Sequence, residues 1–228
     1  MKSRKIRTLQ WTIAISAIVA SLIWMLSSGT SNQKEATTTS NQAPAEALTV
    51  APDDYIKGTV GAPVTLVEYV DFECEACAAF FPLVKQLETD FKGELQIVIR
   101  YFPLPGHRNG MTAALAVEAA GQQGKFFEMH DLLYTEQKKW GEKPSPTPEV
   151  FEAYAQQLGL DMEKFKAAVA SPETKARVER DIESGKALGN RGTPSFYLNG
   201  KKLEPNSYEE FKKSIQTEVD ASKVEFGV

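Results

Sequence analysis

Val64-Thr65-Leu66-Val67-Glu68-Tyr69-Val70-Asp71-Phe72-Glu73-Cys74-Glu75-Ala76-Cys77 joins a β-branched, mostly apolar run to the only two cysteines of a 228-residue chain. The turn signal Gly61-Ala62-Pro63 precedes Val64–Val70, which reads as a strand. A helix is expected from about Cys74 to Phe91, kinked at Pro82. The two cysteines therefore stand where a strand hands over to a helix. A disulfide across two intervening residues restricts the unfolded chain little, because the stapling effect grows with loop length. As a redox switch the same spacing works well: neighbouring thiols resolve each other's mixed disulfides, and a helix start lowers the first thiol's pKa.

Outward from this stretch, Gly93 ends the helix and Leu95-Gln96-Ile97-Val98-Ile99-Arg100-Tyr101 reads as a second, interior strand stopped by Pro103 and Pro105. Strand, helix and strand make a βαβ unit. From Arg108 to about Leu188 the patterns are helical: Met111 to Gln122, Lys125 to Glu136, Pro148 to Leu158, Asp161 to Ala170, and Pro172 to Leu188. Ser195–Leu198 and Lys201–Leu203 flank Asn199-Gly200, the strongest short hairpin signal. A last helix is expected from Tyr208 to Val219, with Phe211, Ile215 and Val219 on one face.

The other end of the chain is of different composition. Residues 1–7 carry Lys2, Arg4, Lys5 and Arg7, and the 19 residues Thr8 to Leu26 carry no charge. At about 1.5 Å per helical residue the run just spans a hydrocarbon core. The basic cluster marks its cytoplasmic end, which would place everything after Leu26 outside the cytoplasm, on a single-pass anchor. A signal peptide cut near Ser27-Ser28-Gly29 is the competing reading. Either one exports the rest into an oxidising compartment where disulfides persist. Residues 27–50, rich in Ser, Thr, Asn, Gln and Ala, read as a flexible linker, with Leu48 to Tyr55 as its ambiguous edge. Residues 51–228 remain as one domain with a single core. Beyond residue 7 the chain holds 22 basic against 30 acidic groups, a balance that disfavours nucleic acid.

Four motifs in order resemble the DsbA-like thiol-disulfide oxidoreductases, and within them a membrane-tethered bacterial branch: Val70 to Cys77, Tyr101-Phe102-Pro103-Leu104-Pro105-Gly106-His107-Arg108, Ala113 to His130 with Gln123-Gly124-Lys125-Phe126-Phe127, and Gly192-Thr193-Pro194 followed by Phe196 and Asn199-Gly200-Lys201. The resemblance implies an α/β thioredoxin fold with an inserted helical domain at about residues 106–188. It also implies a protein thiol-disulfide oxidoreductase whose partners are exported proteins bearing thiols or disulfides. A membrane quinone-linked protein would reoxidise it. A disulfide-forming oxidase is the first expectation; a reductase of the same fold, and a peptide-binding chaperone with an incidental dithiol, are the alternatives.

Residue by residue, Cys74 at the helix start is expected to be the exposed attacking thiol, since unpaired N–H groups and the helix dipole favour its thiolate. Cys77, one turn further in, is expected to be the buried resolving thiol. No metal or cofactor is expected: zinc needs four ligands, and His107 and His130 lie 30 and 53 residues beyond Cys77. Both histidines read first as structural or surface residues, His107 being the better rim candidate. Glu68 matches the family's buried acid that exchanges protons with the resolving cysteine, with a solvent-facing acid as the alternative. Thr193-Pro194 resembles the family's cis-proline loop, implied to lie against the dithiol. Phe72, Glu75, Ala76 and Thr193 are expected to meet the substrate. Glu75, with Glu73 beside it, is expected to oppose the helix dipole and make the couple less oxidising, unless both point into solvent.

Overall fold

The computed structural model describes residues 46–226. The basic segment 1–7, the apolar run 8–26 and most of the linker 27–50 lie outside the described residues. Among those described the order is β1 (Tyr55–Gly58), β2 (Val64–Val70), α1 (Glu75–Asp90), β3 (Leu95–Tyr101), α2 (Gly110–Gly121), α3 (Phe126–Thr135), α4 (Gln137–Trp140), α5 (Pro148–Gln157), α6 (Met162–Val169), α7 (Pro172–Ala187), β4 (Ser195–Leu198), β5 (Lys201–Leu203) and α8 (Tyr208–Phe226). The strands form one mixed sheet in the order β1-β3-β2-β4-β5.

The expected βαβ unit is its centre: β2 and β3 run parallel from Val64 opposite Leu95 to Val70 opposite Tyr101, with α1 as the crossover. β4 lies antiparallel on the other side of β2, with Phe196 opposite Glu68, and β5 closes the hairpin through Asn199, whose φ of 45° is the left-handed turn conformation. Because β2 and β3 are covered on both faces, most of their side chains are apolar, and period-2 alternation sorts those into two clusters. Leu66, Val70, Ile97, Ile99 and Phe196 face α1, α8 and part of the insertion, with Leu87, Phe211 and Ile215 against them. Val67, Tyr69, Val98, Phe102 and Tyr197 face the other way, toward Ile182 and Leu188 and toward Leu48 and Val50. Full burial of each large side chain contributes roughly 1.5–3 kcal/mol. Alternation puts Glu68 on the same face as Leu66 and Val70, the face against which α1 packs.

The helices of the insertion start where their sequence says they should. The Asp161 side chain accepts from the N–H groups of Glu163 and Lys164 at the head of α6, and Ser171 accepts from Thr174 N–H ahead of Pro172 in α7.

Three boundaries differ from the sequence reading. Packed chain begins before Ala51: Leu48 and Val50 cover the second cluster, and the buried Arg100 donates to the carbonyls of Ala47 and Thr49 while pairing with Asp54 at 2.7 Å. Four-residue β1 and one-turn α4 were not anticipated, being too short to establish a period. α8 continues past Val219, where its apolar face ends, to Phe226. α1 itself runs through Pro82 from Glu75 to Asp90.

Candidate active site

Cys74 caps α1 with extended backbone (φ −70°, ψ 121°), its N–H bonded to the Asp71 carbonyl at 3.1 Å and its own carbonyl accepting from Ala78 N–H. Its thiol donates to the Thr193 carbonyl oxygen 3.3 Å away, and the Thr193-Pro194 peptide is cis. The structure thus brings Cys74, Cys77, Thr193 and Pro194 together from opposite ends of the domain. Both cysteines are present as free thiols, and they are electrostatically unlike. A hydrogen bond from the Cys77 thiol outweighs the cost of partial burial at Cys74; with help from the Thr193 side chain and the N–H groups of Cys77 and Ala76, it draws the Cys74 pKa down to about 5. Burial drives Cys77 the other way, well above an ordinary thiol, and the adjacent Cys74 and Glu68 charges add to that. Cys77 is 1% exposed, and Cys74, expected to be exposed, is itself only 8% exposed beside the Thr193 carbonyl.

Glu68 is buried at 4% exposure, which removes the solvent-facing alternative. No side chain among the described residues hydrogen-bonds its carboxyl, and burial lifts its pKa to about 8 against the opposing charge of Lys57. Lys57 reaches in from β1 and is itself held by Asp131 at 3.4 Å and Glu88 at 3.8 Å. Glu68 is near enough to Cys77 for each charge to be felt at that sulfur.

Glu75 and Ala76 are exposed beside the dithiol, as a surface that meets substrate requires. Phe72 is not: it is 1% exposed, with its ring against Tyr101, His130 and Tyr134, so it belongs to the core beneath the site. β2 has ended at Val70, and the turn closed by Cys74 N–H on the Asp71 carbonyl carries the Phe72 ring into the core. Glu73 also departs from expectation. Its carboxylate is buried and accepts from the Asn109 N–H at 2.6 Å, the Asn109 amide at 3.3 Å and the Glu142 N–H at 3.0 Å. It is a strut to the insertion, with its charge spent on those donors rather than on the thiolate.

Four side chains that the motifs did not single out complete the site. Gln137 Nε2 donates to the carbonyls of Phe72 (2.8 Å) and Cys74 (3.0 Å), clamping the entry to α1. Asp71 is buried, and its carboxylate accepts from Glu73 N–H (2.9 Å) and Leu104 N–H (2.7 Å) and contacts His107 Nδ1 at 2.6 Å. Burial opposes the charged form of His107, but Asp71 outweighs it and the His107 pKa is raised, with the Cys74 charge contributing. Tyr134 is packed on Phe72 and Phe81 with a buried hydroxyl that has no partner among the described residues. Of these, Asp71 and His107 lay inside recognised motifs, and Gln137 and Tyr134 did not. His130 is a core residue, 4% exposed among Phe72, Phe81, Phe126 and Tyr134, and burial lowers its pKa. No cluster of metal-ligating side chains occurs among the described residues.

This architecture has known counterparts. A family profile described as Thioredoxin matches residues 50–217. The oxidised BdbD of Bacillus subtilis is 25% identical, with a TM-score of 0.66 over 73% of this chain and 93% of that one. The α-DsbA1 of Wolbachia pipientis shares the fold at 20% identity, with a TM-score of 0.69 over 79% of this chain and 98% of that one. Among curated proteins, the Na(+)/H(+) antiporter NhaA 1 of Salinispora arenicola is 41% identical over 155 residues, 67% of this chain and 23% of the antiporter. The chain spans about a quarter of the length of the curated relatives it matches.

Proposed function

We propose that this chain, which belongs to the thioredoxin family, is a disulfide-forming oxidase of the DsbA-like thiol-disulfide oxidoreductases, acting outside the cytoplasm on exported proteins. The observation that carries the reading is the asymmetry of the dithiol: a Cys74 thiol drawn down to about 5 beside a buried Cys77 pushed well up. A stabilised Cys74 thiolate favours the reduced protein, which makes its disulfide a better oxidant. Between a pKa of about 5 and neutral pH two tenfold factors apply, worth at most roughly 60 mV in a two-electron couple. This opposes the less oxidising couple expected from Glu73 and Glu75.

In the forward cycle a client thiolate attacks Cys74 Sγ of the disulfide, the bond to Cys77 breaks, and Cys77 leaves as a thiolate. Glu68, still protonated near neutral pH, supplies its proton. The client's second thiolate then attacks the client sulfur of the mixed disulfide and expels the Cys74 thiolate. Two electrons have passed from client to dithiol. Reoxidation reverses the proton step, with Glu68 as base, and calls for a membrane quinone-linked partner. Thr193 and Pro194 would hold the client backbone against Cys74, with Glu75 and Ala76 at its edge.

Exposure to exported clients rests on the four basic residues and 19 uncharged residues of segment 1–26, read as a single-pass anchor. Ion transport is not carried over from the antiporters, because the match covers about a quarter of them and no helix among the described residues is long and apolar enough to cross a membrane.

The test is an equilibrium titration of the full chain, purified in detergent, against glutathione, together with transfer of its disulfide to a reduced, unfolded client. A couple on the oxidising side of glutathione and stoichiometric transfer are expected. A potential near that of thioredoxin, about −270 mV, would make the chain a reductase.

A further inference from the structure

A cleft of about 520 Å³ opens between the β3–α2 loop and the segment that leads into Thr193, floored by apolar side chains including Leu104 and Met111 and rimmed by His107, Lys186, Asn190 and Arg191. No carboxylate lines it, in a chain that beyond residue 7 carries 22 basic against 30 acidic groups. Its polar groups are unequally committed. Lys186 is paired with Glu183 at 2.8 Å, and His107 turns Nδ1 to Asp71, which leaves Nε2 without a partner among the described residues. Arg191 is exposed with no ion pair or side-chain hydrogen bond among the described residues. Asn190 is 8% exposed; its Oδ1 accepts from the Tyr197 hydroxyl at 2.5 Å, but its buried Nδ2 has no acceptor.

Both walls abut groups bonded to Cys74, one at its sulfur and one at its main-chain N–H. Asn190 and Arg191 lead directly to Thr193, whose carbonyl is 3.3 Å from Cys74 Sγ. His107 is held by Asp71, whose main-chain carbonyl accepts the Cys74 N–H.

We propose that this cleft is a specificity subsite for an acidic side chain of the client, an Asp or Glu one or two residues from the cysteine that reacts with Cys74. Arg191 and His107 Nε2 receive the carboxylate, and the apolar floor takes its methylenes. The assignment rests on the reading that Cys74 exchanges disulfides with polypeptides.

The test uses the oxidised full chain and three single-cysteine peptides that differ only in Glu, Gln or Lys two residues from the cysteine. Each rate is normalised to the same peptide's reaction with a small neutral disulfide, which removes the effect of the neighbour on the peptide thiol. The Glu peptide should react about 5- to 20-fold faster than the Lys peptide at low salt, with the ratio falling toward one in high salt. Arg191→Glu should invert the preference, whereas Lys164→Glu, the same charge change on exposed α6, should keep it. Equal rates, or a native preference for Lys as the chain's net charge alone would give, overturn the subsite while disulfide exchange stands. Failure of all three peptides to reduce the protein overturns the exchange reading and the subsite with it.

Discussion

The sheet half of the molecule and the helical insertion divide the site between them in different currencies. From the sheet half come the reacting groups: Cys74 and Cys77 on α1, Glu68 on β2, and the Thr193-Pro194 loop ahead of β4. From the insertion and its edges come the groups that hold them, chiefly Gln137 on the Phe72 and Cys74 carbonyls and Asn109 and Glu142 on the Glu73 carboxylate. The sheet side tolerates an unsatisfied acid, since Glu68 is buried with Lys57 as its opposing charge. On the insertion side the Glu73 carboxylate is met by three donors, although the Tyr134 hydroxyl is left without a partner among the described residues. The sheet half supplies the groups that react, and the insertion supplies the donors that hold the entry to α1 in place.

The largest test of that division is at the sulfurs. Cys74→Ser should reduce disulfide transfer to background, and Cys77→Ala should accumulate mixed disulfides with thiol-bearing clients, resolved on non-reducing gels. A chaperone with an incidental dithiol would keep its activity in Cys74→Ser and form no such adducts.

Next in size is Glu68→Gln, measured by denaturant unfolding of the disulfide form so that neither thiol titrates. With a folded pKa of about 8 against an ordinary 4.5, native Glu68 binds its proton more tightly than the unfolded chain does. Its stability contribution is full below about pH 4.5 and is lost as pH rises through about 8. The variant escapes that loss, so its stability relative to wild type should grow by on the order of 4 kcal/mol across the window. A difference that does not change with pH would mean that the carboxyl is not protonated near neutrality, and would remove it as the proton carrier.

Glu73→Ala sharpens the other side of the comparison. Loss of its carboxylate leaves the buried Asn109 N–H and the Glu142 N–H without their acceptor, at a cost of roughly 2–3 kcal/mol in urea unfolding. The Cys74 pKa, followed by thiolate absorbance, should move little. A large shift in that pKa would show that Glu73 tunes the thiolate after all. The smallest effect belongs wholly to the insertion: Asp161→Ala removes the cap of α6 and should cost about 1 kcal/mol without changing the exchange rate. A change in rate would couple α6 to the dithiol.

Much of this was legible in the residues. Strand β2, the crossover helix and β3 stood out because a strand buried on both faces must be apolar and β-branched, and the insertion because five amphipathic periods follow one another without a strand. β1 was invisible for the opposite reason: Tyr55–Gly58 is too short to show alternation, and it becomes a strand only because the β3 edge is there to pair Tyr55 with Ile99. Phe72 and Glu73 lay in plain view beside the cysteines and were misjudged, since adjacency in sequence says nothing about which of two neighbours points into the core. Gln137 and Tyr134 carried no motif-level signal, and Asp71 lay inside the dithiol motif without being singled out.

What the sequence by itself determined is the chemistry on offer: two thiols two residues apart at a helix start, an acid within an apolar strand, a proline ahead of a short strand. These are local properties of composition and period, and they survive any packing that respects them. Only the tertiary structure decided the electrostatic state of those groups. The fall of Cys74 to about 5, the rise of Glu68 to about 8 and the pairing of His107 with Asp71 depend on which groups are desolvated and which donors converge. Those distances are set by contacts between segments up to 119 residues apart, as between Cys74 and Thr193, where no local pattern reaches.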